Sequence, residues 1–130
     1  MLRITLRDGE ALIINGALLR ASGRTELKVE NQACLLRGRE IMTPEEADTP
    51  AKRLYYACMM AYVGEDSDKH RDEIIDALRQ LMPTLEDIEA KAACVAFANR
   101  VAVCDYYKGL IQCRALIAHE QAMTSDVAAA

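Results

Sequence analysis

Apolar and polar residues alternate with a period of two in the first part of the chain, which is typical of strands with one covered face. The segments LRITLR at 2–7 and TELKVEN at 25–31 both follow this pattern. ALII at 11–14 is apolar on both faces, so one face must pack against the C-terminal half of the chain or against a second copy of the protein. Asn15-Gly16 predicts a type I′ hairpin turn, because both central positions need positive φ.

From residue 43 the apolar positions recur with a period of 3.6, which predicts helices. Thr43 and Glu46 form a capping box, and Thr49 before Pro50 makes a second helix start. Because proline disfavours helix in the residue before it, the first start should give only a single turn. The second start predicts a helix over about 50–63.

Three further helix starts follow along the chain. Ser67 caps a helix that ends near Met82, and Thr84 caps a long helix that reaches Cys104. Asp105 opens the last helix. The fold class is therefore α+β, with a small five-stranded antiparallel β-rich N-terminal module followed by a helical C-terminal half of about four helices.

These patterns divide the chain into three segments. We predict a β-rich module over 1–42, a helical domain over 43–123 and a disordered tail over 124–130. The module resembles an RNA-binding one for the reasons given below. The tail is assigned because its last residues lack a periodic set of large apolar side chains.

The net charge changes the picture of a uniform surface. The 130 residues are 52% hydrophobic, which is enough for a core, and carry a net charge of −4. Residues 1–42 hold seven basic and five acidic side chains, a net of +2, whereas residues 43–130 have a net of −6. We interpret this as two surfaces with different partners, and the alternative interpretation is chance variation in charge.

The cysteines indicate a reduced compartment. Their number is odd and no pair has a zinc or thioredoxin spacing. The N-terminus predicts a strand rather than a secretory signal, and no apolar run approaches the roughly twenty residues of a membrane span. We therefore expect a cytoplasmic protein without a membrane partner. The five residues are Cys34, Cys58, Cys94, Cys104 and Cys113.

The sequence offers little for catalysis. His70 and His119 have no metal-ligand spacing, and the second lacks the partner histidine that a zinc-protease helix needs. The acidic clusters lie at helix starts, where carboxylates favour the helix dipole. We therefore predict a binding protein rather than an enzyme, with no catalytic residue, metal or cofactor.

Two surfaces remain as candidate sites. The first is a basic stripe on the strands, suited to phosphates and unpaired bases of RNA, or alternatively a solvated strand face. It consists of Arg3, Thr5, Arg7, Arg37 and Arg39. The second is an exposed face of the first helix that suits a protein partner, or alternatively holds an incidental tyrosine. It consists of Lys52, Arg53, Tyr56 and Met60.

Three blocks of the sequence resemble the flagellar biosynthesis repressor FlbT family. They are RITLRDGEALIINGALL near the start, IMTPEEADTPAKRLYYACMMAYV before and within the first helix, and DYYKGLIQCRALIAHE near the end. The resemblance implies a cytoplasmic protein that controls flagellin after transcription by binding the 5′ leader of flagellin messenger RNA. It also implies work with the small flagellar protein FlaF and, in some members, activation rather than repression.

A second pattern lies within residues 1–42 and consists of Leu2, Ile4, Thr5, Arg7, Gly9, Glu10, Leu12 and Ile14, with Arg39-Glu40-Ile41 at the end of the last strand. It resembles the carbon storage regulator family. That resemblance implies a strand-swapped dimer that binds RNA leaders containing GGA through its first strand and an arginine after its last strand. Leu6 stands where that family has an arginine, and either Arg37 or Arg39 takes the place of the last-strand arginine.

Two functions follow as hypotheses. The first is an RNA-binding translational regulator that forms a homodimer through its β-rich half. The alternative is an adaptor or chaperone-like partner of flagellin or FlaF, which uses its helical half and affects messenger RNA only indirectly.

Overall fold

Five short strands and four helices follow one another in the computed structural model, which describes residues 2–64 and 67–129. The strands are β1 (Leu2–Leu6), β2 (Ala11–Ile14), β3 (Ala17–Arg20), β4 (Thr25–Val29) and β5 (Leu35–Arg37). The helices are α1 (Pro50–Val63), α2 (Ser67–Leu81), α3 (Ile88–Ala102) and α4 (Tyr106–Ala129). Short 3₁₀ turns cover Gly38–Glu40, Pro44–Glu46 and Met82–Thr84. The predicted α+β fold is confirmed.

The strands form two antiparallel sheets. One sheet consists of β1 and β4, and the other has the order β3-β2-β5. In the first sheet Arg3 lies opposite Lys28, and Thr5 lies opposite Glu26. In the second, Leu12 lies opposite Leu19. Since β1 pairs with a strand that begins about twenty residues later, its pairing depends on tertiary packing rather than on a local hairpin.

The hairpin between β2 and β3 has the predicted turn. Asn15 and Gly16 have φ values of 48° and 84°, as a type I′ turn requires. A Cβ added to Gly16 would lie 2.8 Å from the carbonyl oxygen of Val63. The turn therefore packs against the end of α1, and only glycine fits both its backbone conformation and this contact.

Two apolar clusters lie on opposite sides of β2. Leu12 is buried with Ile4 and Leu6 of β1, whereas Ile13 packs against the larger cluster formed by the helices. Leu36 of β5 is fully buried in that larger cluster. The β1–β4 sheet and the helices thus cover the two faces of the apolar strand, so a second copy is not needed for that purpose.

The larger cluster lies among the four helices. Helix α1 packs against α2 and α4, and α3 packs against α4. Its fully buried side chains include Leu54, Phe97 and Leu116. No described helix combines the length and the apolar character that crossing a membrane would need.

Most of the predicted helix starts agree with the structure. The Thr43 capping box leads into a single 3₁₀ turn, and the Lys52 amide donates to Thr49 Oγ1 at 3.2 Å at the start of α1. The Asp105 side chain accepts from the amide of Lys108 at 3.3 Å, inside the first turn of α4. Ser67 is the first residue of α2, and its side chain lies outside the described residues.

The predicted start of α3 is wrong. The helix begins at Ile88, and its N-cap is Asp87, whose carboxylate accepts from the amide of Glu89 at 3.3 Å. Thr84 instead donates its hydroxyl to the carbonyl of Leu81 at 2.7 Å and closes the 3₁₀ turn that follows α2. Thr84 lies three residues before this N-cap, too early in the chain for its side chain to cap α3.

The division at residues 42 and 123 stays a prediction. The backbone of α4 is helical to Ala129, so it continues through most of the segment assigned to a disordered tail. Residue 130 lies outside the described residues.

Candidate nucleic-acid interface

The outer face of β1 carries the first part of the predicted basic stripe. Arg3 and Thr5 are exposed, whereas the alternating residues Ile4 and Leu6 are buried. Arg7 follows the end of the strand and is also exposed. The alternation of the sequence therefore places these three polar side chains as predicted.

A further basic residue, Lys28, extends this face. It is exposed and lies opposite Arg3 in β4, and directly opposed residues of antiparallel strands share a face. The prediction missed it, although the alternation of TELKVEN already placed Lys28 on the polar side. Glu26, which is opposite Thr5, adds a carboxylate to the same face.

Arg37 reaches β1 from a different sheet. Its Nη2 donates to the carbonyl oxygen of Thr5 at 3.0 Å and lies 3.6 Å from the Glu10 carboxylate. Because β5 pairs with β2 and not with β1, Arg37 does not lie on a strand that neighbours β1. The side chain, rather than the sheet hydrogen bonds, brings Arg37 to the stripe.

A surface groove lies where these residues meet. It is lined by Thr5, Arg7, Asp8, Gly9, Glu10 and Arg37. The Glu10 carboxylate accepts from the amide of Arg7 at 3.0 Å, and the Asp8 carboxylate accepts from the amide of Gly23 at 2.8 Å. Both carboxylates accept from backbone amides of the loops. The groove therefore contains two acidic side chains beside its two arginines.

Arg39 lies apart from the groove. It is exposed in the 3₁₀ turn Gly38–Glu40 and is not among the residues that line the groove. Three of the five predicted residues, Thr5, Arg7 and Arg37, line the groove. Arg3 lies outside it, on the same exposed face of β1 as Thr5.

Tyrosines of the helical half connect it to β5 and to the 3₁₀ turn that follows β5. Tyr55 donates its hydroxyl to the carbonyl of Glu40 at 2.6 Å, and Tyr107 donates to the carboxylate of Glu40 at 2.7 Å. The Tyr62 hydroxyl accepts from the amide of Leu35 at 3.0 Å. The pKa of Tyr107 is raised to about 12, mainly by the bond to Glu40 and to a lesser extent by burial. Sequence reasoning missed these bonds, since their partners are far apart in the chain.

The predicted protein-partner face is less exposed than expected. Tyr56 and Met60 are half-buried and pack against the helical cluster. Lys52 is also half-buried and lies 3.6 Å from Asp48. Only Arg53 is exposed, because the face points partly into the bundle. Its assignment to a partner stays a prediction.

The described residues contain no group of three or more histidine, cysteine or acidic side chains that could hold a metal ion. His70 lies 3.4 Å from Glu73, and His119 lies 3.7 Å from Asp87, so each has one acidic neighbour. Burial raises the pKa of the Cys94 thiol, which favours the neutral thiol over the reactive thiolate.

Comparison with known proteins gives one family. The family profile described as "Flagellar protein FlbT" matches residues 2–124. A Caulobacter vibrioides protein named "Flagellum biosynthesis repressor protein FlbT" is 32% identical over 121 residues, which cover 92% of this chain and 86% of that protein.

Other relatives carry the same type of name. A "Probable flagellum biosynthesis repressor protein FlbT" of Caulobacter sp. strain K31 is 32% identical over 121 residues, or 92% of each chain. A protein of that name from Rhodopseudomonas palustris is 28% identical over 125 residues, or 95% of this chain and 98% of that protein. No solved structure matches the chain.

Proposed function

This chain belongs to the FlbT family of flagellar proteins, and on that premise we propose that it is a post-transcriptional regulator of flagellin synthesis. In this proposal the protein binds the 5′ leader of flagellin messenger RNA. The names of its relatives support a regulatory role in flagellum synthesis, since they describe repressors. Binding of a messenger RNA leader is the finer part of the proposal and depends on the site.

The observation that carries this part is the convergence of arginines around β1. Arg3 and Arg7 are exposed, and Arg37 is fixed between the Thr5 carbonyl and Glu10. A planar guanidinium can pair with two phosphate oxygens and stack on an unpaired base. The Thr5 hydroxyl lies on the same face and adds a hydrogen-bonding group. Arg39 is a peripheral contact in this arrangement.

Binding of purified protein to a flagellin leader, titrated against salt, tests the proposal. Changing both Arg3→Ala and Arg7→Ala should weaken binding to all RNAs and lower the salt slope by roughly one unit for each lost phosphate contact. The matched control is the pair Arg79→Ala and Lys91→Ala, which removes the same charge from exposed positions of α2 and α3.

Two results would contradict the proposal. The unmodified protein could fail to bind the leader at physiological salt, or the paired arginine variant could bind as the control does. Either result would leave the arginines as a solvated strand face. The circular dichroism spectra of both variants should match that of the unmodified protein.

A homodimer through the β-rich half is part of the proposal. It is supported by the edge of the β3-β2-β5 sheet, where all four residues of β3 are exposed. Leu18 is 62% exposed and Leu19 is 46% exposed, on opposite faces of the strand. An antiparallel β3 pair across a two-fold axis would complete the free edge and cover leucines of both copies.

Light scattering tests the dimer. The unmodified protein should show about twice its mass of 14.4 kDa at micromolar concentration, and Leu18→Lys should give a monomer. Ile88→Lys places the same charge at an exposed position of α3 and should remain dimeric. A monomer at all concentrations of the unmodified protein would exclude this part of the proposal.

The second candidate function is an adaptor for FlaF or flagellin. It is supported by exposed apolar side chains on α3, where Ile88 is 82% and Val95 is 57% exposed two turns apart. The predicted partner face adds the exposed Arg53. If the protein is an adaptor, Arg53→Glu or Val95→Lys should weaken co-purification with FlaF or flagellin and leave leader binding unchanged.

A further inference from the structure

A pocket of about 380 Å³ opens at the junction of the two halves, beside the groove described above. Its lining combines two arginines, two tyrosines and a carboxylate with apolar side chains of β1 and β5. The polar and aromatic members are Arg3, Arg37, Glu40, Tyr62 and Tyr107.

The helical side of the pocket is aromatic and fixed in orientation. The rings of Tyr62 and Tyr107 lie 5.6 Å apart between centroids and are inclined at 46°. The hydroxyl of Tyr107 is bound to Glu40, and that of Tyr62 is bound to the Leu35 amide. These bonds hold the hydroxyl ends of both tyrosines against the protein, and the ring of Tyr107 borders the pocket. Tyr107 is 41% exposed, so part of its ring is accessible.

The strand side of the pocket is basic. Arg37 is anchored at the Thr5 carbonyl, and Arg3 is exposed on the same side. Aromatic rings bind unpaired bases by stacking, and arginine binds the phosphates on either side of a base. An apolar pocket with both groups fits a nucleotide better than an ion or a purely apolar ligand.

We propose that this pocket holds one unpaired base of the RNA leader, with its ring against Tyr107 and its flanking phosphates on Arg3 and Arg37. This inference rests on the proposed RNA-binding function and names the part of the RNA that enters the protein. Glu40 is a positioning residue, because one carboxylate oxygen accepts from Tyr107 while the other accepts from the amide of Arg37 at 3.1 Å.

Leader binding by three variants tests the pocket. Tyr107→Ala should weaken binding by about tenfold or more, as expected for loss of one base stack, and should leave the salt slope unchanged. Tyr107→Phe keeps the ring and should bind within about threefold of the unmodified protein. Ile111→Ala is the matched control, since it removes an exposed apolar side chain one turn later on α4 and should have no effect.

Ultraviolet crosslinking of the unmodified protein to the leader gives a readout that does not depend on a stable variant. Peptide mapping should place a crosslink at Tyr107 or Tyr62. This measurement decides the question even if Tyr107→Ala does not fold.

The outcomes separate the pocket from the proposed function. If the unmodified protein binds the leader but Tyr107→Ala binds equally well and no crosslink maps to the pocket, the pocket proposal is overturned and the function stands. If the unmodified protein binds no RNA, both are overturned. If Tyr107→Ala weakens only co-purification with FlaF, the pocket belongs to a protein partner and the proposal is again overturned.

Discussion

The two halves of the molecule differ in how they use apolar surface. The helical half buries Leu54, Phe97 and Leu116 completely within one large cluster. The strand half has a cluster whose buried members are Ile4, Leu6 and Leu12, while both leucines of β3 remain exposed. Because stability follows the apolar area removed from water, the helices supply most of the stability, whereas the strands leave more apolar surface exposed.

The difference does not make the halves independent. Leu36 of β5 is buried among the helices, and Ile13 packs against the same cluster. The bonds from Tyr55 and Tyr107 to Glu40 join the halves at their polar boundary. The helices therefore help to hold the thin sheets in shape, although the core of the strand half is small.

The largest expected effect comes from breaking the helical core. Phe97→Ala should lower the free energy of unfolding by about 3–5 kcal/mol, since the side chain is fully buried. Leu12→Ala in the strand cluster should cost about 2 kcal/mol, because its half-exposed neighbours can relax into the space. Urea unfolding measures both values. A larger loss for Leu12→Ala would reverse the comparison.

A smaller loss of stability is expected when the contact between the β2–β3 hairpin and α1 is disturbed. Gly16→Ala should cost about 2 kcal/mol, because it adds strain at a φ of 84° and a contact of 2.8 Å with the Val63 carbonyl. Gly9→Ala is the matched control. Its φ is 79°, but no atom lies within 4 Å of an added Cβ, so only the strain of about 1 kcal/mol should remain. Equal losses in thermal unfolding would show that the contact contributes nothing.

The tyrosine bond at the boundary predicts a dependence on alkaline pH. The pKa of Tyr107 is raised to about 12 in the folded protein, compared with about 10 in an unfolded chain. The folded state therefore favours the protonated phenol of Tyr107. The contribution of this phenol to the free energy of unfolding is complete below pH 10 and is lost as the pH rises through 12.

Tyr107→Phe should remove that contribution. At neutral pH the free energy of unfolding of the variant should be lower by about 0.5 kcal/mol. This is the lower end of the range for one hydrogen bond, and it applies because Tyr107 is 41% exposed. The difference in stability between the two proteins should shrink as the pH rises from 10 to 12. A constant difference across that range would show that the bond to Glu40 does not form.

The smallest effect is expected on the charged strand surface. Arg24 and Glu26 form a pair at 3.9 Å with side chains that are 78% and 77% exposed. Arg24→Ala should change the free energy of unfolding by no more than about 0.5 kcal/mol. A loss above about 1 kcal/mol in urea would mean that surface charges of the strand half also stabilise the fold.

The sequence by itself determined the elements and their order. The period of the apolar residues, the Asn15-Gly16 turn and the Thr49 cap act within a few residues, so they identify strands and helices without knowledge of the rest of the chain. The same alternation placed Arg3 and Thr5 on an outer face. A local rule failed at Thr84, because the turn after α2 extends to this residue and α3 begins only at Ile88.

Only the tertiary structure decided how these elements meet. The pairing of β1 with β4, the half-burial of Tyr56 and the bond from Arg37 to the Thr5 carbonyl join residues that are distant in sequence or shielded by other elements. The pocket beside Tyr107 likewise needs side chains from both halves. Such contacts depend on which surfaces bury most apolar area together, and this free energy belongs to the whole chain rather than to any short segment.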